Sequence, residues 1–124
     1  MRKAIGAAII RKGRLLLVRK RQTWILPGGK PKGGESDIRC LIREGKEELP
    51  GLRLRNFRYF GTFVGTTPHI GDELRAEVYL AEADGEVCPS AEINAAEWTR
   101  EPEKFHLSDI TRKIILALRQ KGHL

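Results

Sequence analysis

From Pro27 to Gly34 the chain reads Pro-Gly-Gly-Lys-Pro-Lys-Gly-Gly, with no apolar side chain to pack. Proline withdraws a backbone donor and glycine gives no side-chain contact, so this stretch is a loop rather than a helix or strand. Everything else must be arranged around that break. On its N-terminal side, Ala4 to Ile10 and Arg14 to Val18 are short Ile-, Leu- and Val-rich runs joined by Arg11-Lys12-Gly13, the pattern of a β-hairpin. Trp24-Ile25-Leu26 is a further short strand that ends in the loop.

On the C-terminal side, Ser36 to Leu49 carries a helical period. Ser36 suits the N-cap and Asp37 the positive end of the helix dipole. Ile38, Leu41, Ile42, Gly45 and Leu49 form one expected buried stripe, and Pro50-Gly51 ends the helix. Arg55 to Val64 and Leu74 to Ala81 read as strands, with 65–72 as a loop between them. Ala83 to Glu86 reads as a turn and Ala95 to Thr99 as a last strand. A second helix runs from about Ser108 to Lys121, with Ile110, Ile114, Ala117 and Leu118 facing inward. Strands, a helix, more strands and a terminal helix predict an α/β/α sandwich, a mixed sheet with one helix on each face. The irregular order argues against a doubly wound parallel sheet. At 124 residues the expectation is one domain.

The formal net charge of +7 fits a polyanionic partner, and equally fits charge used only for solubility. Cys40 and Cys88 show no CxxC or Cys/His spacing for zinc, and two buried free thiols are the expected state. The basic and then apolar N-terminus lacks the length and cleavage site of a secretion signal, and no run can span a bilayer. A cytoplasmic protein without a membrane partner is expected, as monomer or homodimer.

The chemistry concentrates in the loop and the helix that follows it. Gly29 is followed by Glu35 and, after seven intervening residues, by Arg43-Glu44-Gly45-Lys46-Glu47-Glu48. At about 100° per residue, Glu44, Glu47 and Glu48 share an arc of one helix face, beside the apolar stripe. Carboxylates at i, i+3 and i+4 repel one another by roughly a few tenths of a kcal/mol per pair. A hard divalent cation that prefers oxygen ligands would turn this repulsion to use. The alternative is a solvated acidic face paired with Arg39, Arg43 and Lys46, and the upstream glycine loop with Glu35 weighs against it.

These residues resemble the Nudix family signature, Gly-x5-Glu-x7-Arg-Glu-U-x-Glu-Glu-x-Gly-U with U aliphatic. Gly29, Glu35, Arg43, Glu44, Glu47 and Glu48 match it in type and spacing. Six fixed positions make a specific signal. The flanking Trp24-Ile25-Leu26-Pro27-Gly28 and Glu97-Trp98 agree with it. Two positions depart: Gly45 replaces an aliphatic residue, at ~1 kcal/mol of helix propensity, and Leu49-Pro50-Gly51 carries one extra residue before the glycine.

The resemblance implies Mg²⁺, or Mn²⁺, held by Glu44, Glu47 and Glu48 with the Gly28 carbonyl, and Glu44 or Glu48 doubling as a base. It implies that Arg43 orients Glu44 and that Glu35 ties the loop to the helix. Lys30 would lie near substrate phosphates or stay solvated, and Arg19 and Lys20 would meet phosphate or merely end a strand. Glu92, five residues before Glu97, is either a late metal-binding or catalytic glutamate or a surface residue. Ser108 and Asp109 would reach the base or cap the helix, and His69 and His106 carry acid–base chemistry or none.

The implied activity is Mg²⁺-dependent cleavage of a nucleoside diphosphate linked to another moiety, above all a (deoxy)nucleoside triphosphate. ADP-ribose or dinucleoside polyphosphate cleavage is the second enzyme reading. A catalytically silent module binding nucleotide or RNA is the third. The intact carboxylate set and an aromatic content of only 6% weigh against the silent module and against nucleic acid as partner.

Overall fold

The computed structural model describes residues 2–66 and 72–124. Strands β1 (Arg2–Arg11) and β2 (Arg14–Lys20) form the expected hairpin. Its two turn residues, Lys12 and Gly13, both have positive φ, at 54° and 76°. That is the turn whose twist matches a two-residue hairpin. The hairpin is paired only at its tip, Ile10 with Leu15 and Arg11 with Arg14. β1 then leaves β2 and runs parallel to β6 (Glu73–Gly85), from Arg2 opposite Leu74 to Ile9 opposite Ala81. β6 pairs antiparallel with the long β5 (Leu52–Thr66), while β2 pairs with β3 (Thr23–Ile25) and β7 (Ile93–Thr99). The result is one mixed sheet of order β3-β2-β1-β6-β5.

Alternation along β1 and β2 builds a core on each side of this sheet. Ile5, Ala7 and Ile9 with Leu16 and Val18 face helix α1 (Asp37–Glu48), whose Cys40 and Leu41 close that layer. Ala8, Leu15 and Leu17 face helix α2 (Asp109–Gln120), covered by Ile110, Ile114, Ile115 and Leu118. The expected α/β/α sandwich with a helix on each face is the observed architecture.

Several local expectations change. The glycine loop is not wholly irregular: Gly28–Gly29 is a two-residue strand, β4, paired with Ile5 and Gly6 of β1. Only glycine fits at 28, where φ is +147° and a Cβ would collide with the Ile5 carbonyl oxygen. The turn expected at 83–86 is mostly strand, because β5 continues opposite it and pairs Leu52 with Gly85. Ile42 is 39% exposed, and Cys40 takes its place in the buried stripe of α1. Ala117 is only half-buried, while Ile115 is buried. Both cysteines are free, but Cys88 is exposed rather than buried. Gly45 brings α1 close to β5: a Cβ there would lie 3.3 Å from Leu54 Cδ1. At the helix exit Leu49 is the C-cap, and its N–H donates to the Gly45 carbonyl.

Candidate active site

α1 begins where Ser36 Oγ accepts the Arg39 N–H at 3.2 Å, and burial of Cys40, Leu41 and Gly45 fixes the rotational phase of the helix against the sheet. That phase turns Glu44, Glu47 and Glu48 toward β4 and the loop after it. Arg43 is the hub. Its Nε and Nη2 donate to the two carboxylate oxygens of Glu35 at 2.8 and 3.0 Å. Nη1 donates to Glu44 Oε1 at 2.8 Å, and Nη2 also reaches the Lys30 carbonyl at 3.0 Å. Glu35 in turn accepts the Lys32 N–H at 2.9 Å. One planar guanidinium thus joins loop, helix start and a candidate ligand, which a lysine could not do. These donors hold the Glu35 carboxyl far below its usual range, at about 2, with the Arg43 bond the largest cause.

Glu48 is the unusual acid. It is 8% exposed, and its Oε1 accepts the Gly28 N–H at 3.2 Å. Burial above all, with Glu44 and Glu47 beside it, pushes its carboxyl up to about 7 against the opposing Gly28 N–H and Lys20. Glu47 is half-exposed and 3.6 Å from Arg43 Nη1. Gly29 leaves room for Glu44: a Cβ there would stand 2.5 Å from that carboxylate. Among the described residues no group of three potential ligands already converges. In this arrangement Glu44 is turned to Arg43 and Glu48 to the Gly28 amide.

A cleft of about 940 Å³ opens over these groups, lined by Gly28, Gly29, Lys30, Glu44, Glu47 and Glu48. Lys20 and Glu92 line the same cleft from its far side, joined by an ion pair of 2.6 Å. The Glu92 side chain is 72% exposed, and Lys20 holds its carboxyl below the usual value. Its loop is tied to α1 through Ser90 N–H donating to the Glu48 carbonyl at 2.9 Å. Arg19 is not part of the lining: its Nε donates to Asn94 Oδ1 at 2.7 Å and its guanidinium lies over Trp24.

The cleft continues past Leu26 into a lobe between the sheet and α2, which the sequence pattern did not reveal. Ala4, Gly6 and Ala76 line it from the sheet, and Ser108, Ile110 and Ile114 from α2. Small residues within β1 were the only available sign. Ser108 caps α2 by accepting the Thr111 N–H, and the two hydroxyls lie 2.7 Å apart. Asp109 accepts the Thr66 N–H and pairs with Lys113. His106 is exposed, and His69 lies outside the described residues.

The NUDIX domain family model matches residues 1–116. No curated protein matches the chain. Among solved structures, a MutT NUDIX hydrolase from Burkholderia pseudomallei is 30% identical, with 96% of each chain covered and a TM-score of 0.76. A UDP-X diphosphatase is 25% identical with a TM-score of 0.81, covering 98% of this chain and 64% of that one. The NUDIX domain of Shewanella oneidensis NrtR, complexed with ADP ribose, shares the fold at 16% identity and TM-score 0.79, with 98% of this chain and 88% of that one covered. The Arg43-centred loop and helix, set on this sandwich and matched over nearly the whole chain, place the protein in the Nudix family, as a hydrolase of phosphoric anhydride bonds.

Proposed function

We propose that the protein is a Mg²⁺-dependent pyrophosphohydrolase that cleaves a nucleoside diphosphate linked to another moiety, specifically a (deoxy)nucleoside triphosphate. The observation that carries this reading is the continuity of the cleft. One end holds clustered carboxylates and lysines, and the other is an apolar lobe between sheet and helix. A triphosphate with a nucleoside at one end has that polarity.

The donor set fits a hard divalent cation. Glu48 is a nearly buried acid with two acidic neighbours and, among the described residues, only a backbone N–H as donor. Glu44, Glu47 and Glu48, with the Gly28 carbonyl, would hold Mg²⁺, and Mn²⁺ suits the same oxygens. When bound, the ion supplies neutralisation of phosphate oxygens and a more acidic water. The protein's own groups do the rest. Arg43 holds Glu44 in place, while Lys20 and Lys30 bind the phosphates. Arg19 adds positive charge from outside the lining. Glu48, or Glu44 in its place, accepts the proton of the attacking water. Glu92 adds a carboxylate at the mouth once Lys20 turns to phosphate.

The test is a panel of nucleoside triphosphates, ADP-ribose and dinucleoside polyphosphates, each with and without Mg²⁺. Metal-dependent release of pyrophosphate and nucleoside monophosphate from triphosphates is expected. Turnover confined to ADP-ribose or dinucleoside polyphosphates would move the substrate. No turnover anywhere would leave a nucleotide-binding module.

A further inference from the structure

Gly6 is a glycine that the fold itself does not require. Its φ lies outside the left-handed region, and a Cβ built there would meet Leu26 at 3.8 and 3.9 Å and Val78 at 4.0 Å. Those are ordinary contacts. By contrast, a Cβ at Gly29 would run into Glu44, and one at Gly65 would lie 2.7 Å from Asp109 Oδ2. Gly6 is only half-buried, in a strand whose neighbours Ile5, Ala7 and Ala8 are fully buried, because its face opens into the cleft lobe.

Ala4 stands directly opposite Ala76 across β1 and β6, and Gly6 follows two residues along β1 on the same face. Strands lie roughly 4.8 Å apart and alternate residues about 6.6 Å apart. The three positions, bordered by the buried Val78 opposite Gly6, therefore make a floor of about the extent of a fused heteroaromatic ring pair. The aliphatic Ile110 and Ile114 face it from α2. Among the described residues lining this end the charged side chain is Arg2, paired with Asp72 at 3.2 Å, and there is no carboxylate or amide to read a ring edge. The Ser108 and Thr111 hydroxyls engage each other and the helix start.

We propose that Gly6 is the specificity-determining residue of the enzyme, keeping the lobe deep enough to admit a purine and selecting it over a pyrimidine by shape. This rests on the hydrolase reading, with the nucleoside end of the substrate in the lobe. The larger ring covers more of the floor and roof and so removes more apolar surface from water. A side chain at position 6 gives up that depth first. Methyl-sized changes in such a pocket shift discrimination about tenfold or more.

The experiment measures kcat and KM for dATP, dGTP, dCTP and dTTP with Mg²⁺ in the wild type, Gly6→Ala and Gly6→Val. The wild-type kcat/KM should favour purines by at least tenfold, with dATP and dGTP closer to each other than to dCTP. The purine-to-pyrimidine ratio should fall stepwise through Ala to Val by tenfold or more, carried by KM. Equal treatment of the two classes by the wild type, or a parallel loss of both in the variants, would overturn the inference while leaving the hydrolase reading intact. Absence of any metal-dependent turnover in the wild type would sink both. If Gly6→Val fails to fold, amide NMR of the wild type titrated with dAMP decides. Shifts at Ala4, Gly6, Ala76 and Ile110 support the assignment, and shifts confined to other residues contradict it.

Discussion

Ionising Glu48 in the metal-free protein places a charge on a side chain that is 8% exposed, beside Glu44 and Glu47, with one backbone N–H as donor. Its carboxyl is raised from 4.5 to about 7, so the fold favours the neutral form. Below the unfolded value both states are protonated and the stabilisation is whole; it is lost as pH rises toward the folded value. Stability in EDTA should therefore decline between pH 5 and pH 7, by an amount on the order of 3 kcal/mol. Urea melts across that range check this, and Glu48→Gln should flatten the slope. Glu35 acts in the opposite sense. Its lowered value gives stability that is present above pH 4.5 and lost as pH falls toward 2, outside that window. Glu48→Gln should also lower turnover roughly 10²- to 10⁴-fold with the fold intact, the usual range for a lost proton acceptor. Wild-type rates in that variant would remove Glu48 from the chemistry. For Arg43→Lys, a single ammonium cannot serve Glu35, Glu44 and the Lys30 carbonyl together. Turnover should fall at least tenfold with a lower melting temperature, and an unchanged kcat would show that Glu44 needs no such hold.

At the scale of the elements, Gly45 sets the distance between α1 and β5. Alanine there gains about 1 kcal/mol of helix propensity but puts a Cβ 3.3 Å from the tip of Leu54. Gly45→Ala should change stability by less than about 1 kcal/mol, because that tip can turn aside. Gly45→Ile, the aliphatic type usual at this position, should destabilise by about 1–3 kcal/mol through overpacking. Equilibrium unfolding of both variants measures this, and a stabilised isoleucine variant would mean that α1 and β5 pack loosely. What the sequence disclosed follows the same division between local and distant causes. α1 was legible to within a residue because its signals are local: the Ser36 cap, the period of Leu41, Gly45 and Leu49, and the stop at Pro50. β4 was not, because two glycines become a strand only when β1 offers its backbone. The end of β6 was misread as a turn because Leu52 and Leu54 of β5, thirty residues away in sequence, hold Ala83 to Gly85 in the sheet. In the site, the shared face of Glu44, Glu47 and Glu48 follows from helical spacing, while their neighbourhood to the Gly28–Gly29 loop was implied by the Nudix resemblance. The burial of Glu48, the Lys20–Glu92 pair and the lobe around Gly6 each join elements far apart in the chain, and no local pattern encodes them.

Over the whole molecule, the sandwich sets opposite chemistry at the two ends of one cleft. The carboxylates come from α1 and the apolar lobe from the α2 side of the sheet, with β1 and β4 between them. Lys20, Arg21, Lys30 and Lys32 line the mouth, and the chain as a whole carries a net charge of +7. Capture of a triphosphate should therefore weaken with ionic strength. Raising salt from 0.02 to about 0.2 M shortens the screening distance to ~7 Å, and kcat/KM should drop severalfold while kcat changes little. Salt-independent kcat/KM would mean that the basic charge has no part in delivery. The central claim is that the acids of α1 hold a cation against a diphosphate. Its most direct measurement is a Mn²⁺ titration followed by the EPR signal of free ion, with a non-hydrolysable triphosphate analogue present and read against a titration of the analogue alone. The wild type should withdraw Mn²⁺ from solution, and a variant with Glu44, Glu47 and Glu48 all changed to Gln should not. Equal uptake by the two proteins would contradict the account.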